Sequence, residues 1–299
     1  PQECGGEAAW AGTIDILAPA NLLQLVNHIK GTQVMSKPEA KLRDEAAFRA
    51  PDLSEVRGQE TAKRAVEIAA AGGNKHLMIG PPGSGKSMLA SCLPGILPKL
   101  SPREALEVSM IHSLAGALPA GGLLQHRPFR NPHHSASQPA LIGGGHKVKP
   151  GESALAHHVV LFLDEVPEFA RGTLEALRQP METGDALVVR ANAHIRYPAR
   201  FQLIGAMNPC RCGYLGDPSQ ECTKAPRCGS DYQGRLSGPL LDRIDLHVDV
   251  AAVSALDLQA PGSGEESAVV AARVLAARAI PQARSEGFSA ETPGGIHAV

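Results

Sequence analysis

Gly80-Pro81-Pro82-Gly83-Ser84-Gly85-Lys86-Ser87 fits G-x-x-x-x-G-K-[ST], the loop that cradles phosphates in nucleotide-hydrolysing proteins. The chemistry explains the spacing. Glycines leave no Cβ between successive backbone N–H groups and a bound anion. Lys86 brings a cation to the β- and γ-phosphates, and the Ser87 hydroxyl is suited to ligate Mg²⁺. The flanks agree. His76-Leu77-Met78-Ile79 reads as a short buried strand, and from Gly85 the chain reads as a helix to about Leu93, where Pro94 stops it. The loop then sits at a helix N-terminus, where aligned peptide dipoles favour anions. A Gly/Pro-rich turn with no ligand is the plainer alternative, and the strand–loop–helix context argues against it.

A chain of 299 residues holds one large domain and part of a second. An apolar content of 43% supports a packed core, and with aromatics at 3% that core rests on Leu, Val, Ile and Ala. The net charge of -1 excludes a whole-chain basic signature for nucleic acid, so any such contact uses a local patch. No apolar run approaches a membrane span and no basic-then-apolar leader opens the chain, so a soluble, cytoplasmic protein is expected.

Residues 1–38 are expected to be the remnant of an N-terminal domain plus a linker, with a helix from Asn21 to near Gly31. Residues 39–255 are expected to form the core. Its helices are predicted over about Glu60–Ala71, Arg103–Leu114 and Arg171–Glu182. Val159–Leu163 and Phe201–Ala206 read as strands buried on both faces, and Leu187–Val189 with His194–Tyr197 as a hairpin around Ala191-Asn192. Strands alternating with helices of this length predict a parallel αβα sandwich. A helix is predicted from Glu265 up to Pro281, within an incomplete helical segment and tail at 256–299.

Leu161-Phe162-Leu163-Asp164-Glu165 places two carboxylates at the end of a buried strand, where ligands bind in open α/β sheets. Asp164 suits Mg²⁺, directly or through water, and Glu165 suits the general base that polarises an attacking water. Solvated surface is the plainer reading of an isolated Asp-Glu pair. Asn208, after the next buried strand, can orient that water or touch the γ-phosphate; Asn208-Pro209 is also a turn-forming pair. In Leu240-Leu241-Asp242-Arg243-Ile244-Asp245-Leu246, Arg243 has either a local ion pair or a phosphoryl group across a subunit boundary to neutralise.

These elements together resemble the AAA+ ATPases: a three-layer αβα P-loop fold with parallel sheet, β-hairpin inserts and a C-terminal helical lid. More narrowly, the chain is similar to magnesium chelatase-related proteins of the competence protein ComM (YifB) type. The narrower likeness rests on Arg127-Pro128-Phe129-Arg130-Asn131-Pro132-His133-His134-Ser135-Ala136-Ser137, Leu141-Ile142-Gly143-Gly144-Gly145, Asn208-Pro209-Cys210-Arg211-Cys212-Gly213-Tyr214 and Arg235 to Leu246. The resemblance implies a homo-hexameric ring that binds ATP between subunits. Lys86 and Ser87 then contact phosphate and Mg²⁺, Asp164 and Glu165 form the metal and base pair, Asn208 is a sensor and Arg243 an arginine finger. It implies that Val56-Arg57-Gly58-Gln59 packs on the adenine, and that the insertion from His133 to Lys149 and the hairpin from Arg190 to His194 line a pore. It also implies a DNA helicase that moves branch points during transformation. A chelatase-type motor that remodels a partner protein, and a regulatory ATP-binding module, are the alternatives.

Cys210, Cys212, Cys222 and Cys228 follow C-x-C-x₉-C-x₅-C inside a Gly/Pro-rich loop spanning 209–229. Four thiols so close suit a tetrahedral Zn²⁺ site, and the loop has too few apolar residues to order itself by packing. Free thiols and disulfides are the alternatives. His133-His134 and His157-His158 are adjacent pairs whose side chains diverge, which favours hydrogen bonding or packing over a shared metal. Lys147, Lys149, Arg190 and Arg196 are candidates to face nucleic acid, with ordinary solvated charge as the equal alternative.

Overall fold

The computed structural model describes residues 2–9, 14–39, 50–118, 123–145, 148–190, 193–216, 222–253 and 264–284. The chain divides into two compact units, one formed by residues 1–48 and 99–126, the other by residues 49–98 and 127–299.

The strands of the larger unit are β1 (His76–Ile79), β2 (Phe129–Arg130), β3 (Gly143–Gly144), β4 (Lys149–Pro150), β5 (Val160–Leu163), β6 (Asp185–Arg190), β7 (Ala193–Pro198), β8 (Gln202–Met207) and β9 (Leu246–Asp249). Five of them form a parallel sheet in the order β2-β5-β8-β1-β9. The pairs β3-β4 and β6-β7 are separate antiparallel ribbons. The predicted hairpin is therefore present as β6-β7, while its Ala191-Asn192 turn lies outside the described residues.

Every residue of β5 is buried, as its unbroken apolar run requires. Met78, Val160, Phe162, Ile204 and Ala206 of the sheet pack with Val66 and Ala70, with Leu89, Leu93 and Ile96, and with Val270 and Val274. These last three sets come from the helices Glu60–Gly72, Lys86–Ile96 and Ser267–Arg284. Polar bonds fix the C-terminal helix in place. Leu53 N donates to Ser267 Oγ at 2.8 Å, Ser267 N to the Asp52 carboxylate at 3.1 Å, and Arg273 Nε to Glu67 at 2.7 Å.

Three helix ends differ from expectation. The helix after the phosphate loop passes Pro94 and ends at Ile96. Its stop is Pro98, which forces Leu97 into the extended conformation observed there (φ -79°, ψ 145°). The predicted Arg171–Glu182 helix is two segments, Arg171–Ala176 and Arg178–Thr183, broken at Leu177. Pro180 cannot donate to the Ala176 carbonyl, and its ring crowds that oxygen. The Ser267 helix runs through Pro281 to Arg284.

In the smaller unit the helix Leu22–Ile29 is capped by Asn21, whose side chain accepts from Gln24 N at 2.9 Å. The helix Pro102–Ala115 begins with a Ser101/Glu104 capping box and ends at Gly116 (φ 73°). Ala105 and Val108 on it pack with Leu100 and Leu124. Among the described residues no helix is long and apolar enough to cross a membrane.

His76 opens β1, between β8 and β9, with both ring nitrogens buried and unpartnered. Burial, then the nearby His247, push its pKa down to about 4. The unfolded chain therefore binds more protons between about pH 4 and 6.5, so stability is full above that window and falls as pH drops through it. The expected loss is roughly 3 kcal/mol. Urea melts across this range are expected to show the slope in wild type and its near-absence in His76→Leu; parallel slopes count against the assignment.

Candidate nucleotide site

Register brings the chemistry together. Ile79 pairs with Met207, and Leu163 with Gly205. The residues that follow these strands, Gly80, Asn208 and Asp164, thus emerge along one carboxyl edge of the sheet. Gly80 donates to Met207 O at 3.1 Å. A Cβ on Gly80 would lie 2.1 Å from the Val250 carbonyl oxygen, so only glycine fits. Gly85, at φ 89°, turns the loop into the helix.

Lys86 is buried and its ammonium donates to Gly80 O and Pro81 O at 2.8 Å, and to Ser84 Oγ and Asn208 Oδ1 at 3.3 Å. Desolvation lowers its pKa, opposed by the nearby Asp164 and Glu165 carboxylates. Exposed Ser87 donates from Oγ to Asp164 Oδ2 at 2.8 Å. Adjacent ligands of octahedral Mg²⁺ stand about 2.9 Å apart. This oxygen pair fits that ion, and the glycine-lined loop beside it fits the phosphates of ATP.

Glu165 follows with a left-handed backbone (φ 51°), its N–H donating to Asp164 Oδ1 at 2.9 Å. Its Oε2 lies 3.4 Å from His134 Nδ1. His134 packs edge-on against Phe169. Buried Tyr232 lies near Asn208, and its pKa rises to about 12 through burial and then the Glu168 and Glu165 charges. Gln59 Nε2 bridges Ser84 O at 3.1 Å and Ala251 O at 2.6 Å.

Residues 52–258 match the family described as magnesium chelatase, subunit ChlI. The chain belongs to this family. Among its relatives, the uncharacterized protein YifB of Salmonella typhimurium is 48% identical over 89% of this chain and 52% of its own length. The competence protein ComM of Haemophilus influenzae is 49% identical over 80% of this chain and 47% of its own. The chain thus spans about half the length of the curated relatives it matches. A solved complex of the magnesium chelatase subunits BchI and BchD aligns with TM-score 0.47 and 23% identity, over 78% of this chain and 70% of that one.

Within this family frame, the remaining candidates divide. Val56 is buried, and Gly58 (φ 60°) precedes the Gln59 bridge. Arg243 forms an ion pair with Glu182 and donates to Pro239 O, so within one chain its guanidinium is held there and not by the phosphate loop. Lys149 is exposed on β4; Arg196 on β7 lies 3.6 Å from Asp185. Lys147 lies outside the described residues, as does the side chain of Arg190 at the end of β6. His157 accepts from Arg200 N at 3.1 Å, but the paired side chains do not diverge: the rings of His157 and His158 lie 4.0 Å apart and those of His133 and His134 4.1 Å apart, centroid to centroid. The four clustered cysteines converge, with their sulfurs all within 4.8 Å of one another.

Sequence reasoning had no site role for His134 and Tyr232. Both reach the site through folding: one follows β2 and the other lies on the helix Arg227–Gln233. Gly80→Ala is expected to cost about 1–3 kcal/mol by overpacking, lowering the urea midpoint, and to weaken ATP binding. Unchanged stability would show that the contact with Val250 is relieved at no cost.

Proposed function

We propose that this chain is the ATP-hydrolysing core of a ComM-like DNA motor, a cytoplasmic homo-hexamer that drives branch migration during transformation and recombination. The observation that carries the ATPase reading is the convergence of Lys86, Ser87, Asp164, Glu165 and Asn208 at one sheet edge. Lys86 releases loop carbonyls for β- and γ-phosphate oxygens. Ser87 and Asp164 hold Mg²⁺, which supplies charge neutralisation on the phosphates when bound. Glu165 accepts a proton from the attacking water as its oxygen bonds to the γ-phosphorus and the bond to the ADP oxygen breaks. Asn208 contacts the γ-phosphate or that water. Arg243 exchanges Glu182 for the γ-phosphate of a neighbouring subunit.

The DNA reading draws on the Haemophilus influenzae relative named for competence, with Lys147, Lys149, Arg190 and Arg196 as the residues that contact DNA. The match to a chelatase subunit favours one other reading, a motor that remodels a protein.

Lys86→Ala is expected to raise the ATP dissociation constant by about 10²-fold. Glu165→Gln keeps binding and loses about 10²–10⁴-fold in turnover; normal turnover there removes the base assignment. ATP hydrolysis by the full-length protein is then compared without DNA, with linear duplex and with a four-way junction. Strong stimulation by the junction supports branch migration, and indifference to DNA moves the reading to protein remodelling.

A further inference from the structure

We propose that Cys210, Cys212, Cys222 and Cys228 bind a structural Zn²⁺, and that this zinc loop braces the phosphate loop and Asn208. The bracing half rests on the ATPase reading above; the metal half does not.

The four cysteines are free of disulfides and come from two short segments, 210–212 and 222–228. Their sulfurs lie within 4.8 Å of one another, and Cys210 Sγ and Cys212 Sγ are 3.1 Å apart. A disulfide needs about 2.05 Å. Tetrahedral Zn–S bonds of ~2.3 Å set sulfurs about 3.8 Å apart, a spacing this cluster brackets. Four thiolates around Zn²⁺ leave a net negative site. Arg211 and Lys224 share the cleft that Cys228 lines and offer compensating charge, whereas Arg227 and Arg235 there are paired with Asp231 and Glu168.

Three contacts connect this cluster to the nucleotide site. Cys210 follows Asn208 by two residues. The helix Arg227–Gln233, which carries Cys228, brings Tyr232 near Asn208 and lets Gln233 Nε2 donate to Pro209 O at 2.9 Å. Gly213 abuts the phosphate loop so closely that a Cβ there would sit 2.5 Å from Pro82 Cδ. The sequence of this loop holds few apolar residues, so the metal takes over the ordering role of a core.

The test begins with the full-length protein purified without chelator. Zinc equimolar with the chain, lost in Cys212→Ser and Cys228→Ser, is the expected result; Co²⁺ in its place is expected to give the visible bands of a tetrahedral thiolate site. Zinc-free wild type that still hydrolyses ATP overturns the metal site and leaves the ATPase reading standing. Zinc is then withdrawn by a chelator and restored as Zn²⁺ alone, with circular dichroism monitoring the fold. Turnover is expected to fall about 10²-fold, as for displaced catalytic groups, and to return with Zn²⁺. Unchanged turnover after zinc loss overturns the bracing role.

Discussion

A lysine ammonium buried among neutral oxygens is the constraint around which this nucleotide site is arranged. Taking such a charge out of water costs several kcal/mol, and Lys86 also stands at the N-terminal end of its own helix, where the dipole disfavours a cation. Gly80 O, Pro81 O, Ser84 Oγ and Asn208 Oδ1 offset part of this cost. None of them carries a charge. The full counter-charge nearby comes from Asp164 and Glu165. An arriving polyphosphate therefore answers the lysine and the helix dipole together, and the loop needs little rearrangement to receive it.

That arrangement depends on strand order. With β8 lying between β1 and β5, the end of the phosphate-loop strand and the end of the carboxylate strand are one strand apart. Asn208 fills the gap and reaches Lys86, while Ser87 bridges to Asp164 across 77 residues of sequence. If β1 paired directly with β5, the two ends would be about 4.8 Å apart, and no third polar group could stand between lysine and carboxylate. The two adjacent carboxylates then take separate partners. One faces Ser87 and the other His134.

Much of this was legible because it is local. The phosphate loop, the Asp164-Glu165 strand end, Asn208 and the β6-β7 hairpin are short patterns whose chemistry fixes their spacing. The helix ends near Pro94 and Pro180 were less so. A proline restricts its own nitrogen and the residue before it, and which effect ends a helix depends on where the chain turns next. Leu97 before Pro98 decided the first case. His134, Tyr232 and the Gln59 bridge to Ala251 are contacts between segments distant in sequence, which no periodicity encodes. The order of strands in the sheet is of the same kind.

The same long-range logic accounts for the C-terminal helix. Ser267 answers both Asp52 and the Leu53 N–H, so the first turn of that helix and the start of the larger unit cap one another. Arg273 sits between Glu67 and Glu265, and Arg278 donates to the Ala70 carbonyl near the end of the Glu60–Gly72 helix. Between these anchors runs Val56 to Gln59, and Gln59 holds the Ser84 carbonyl of the phosphate loop. Displacing the C-terminal helix breaks the Ser267 bonds and frees the turn that carries Gln59. The phosphate loop is thus held from its far side by groups near both ends of the larger unit, and its shape depends on their staying together.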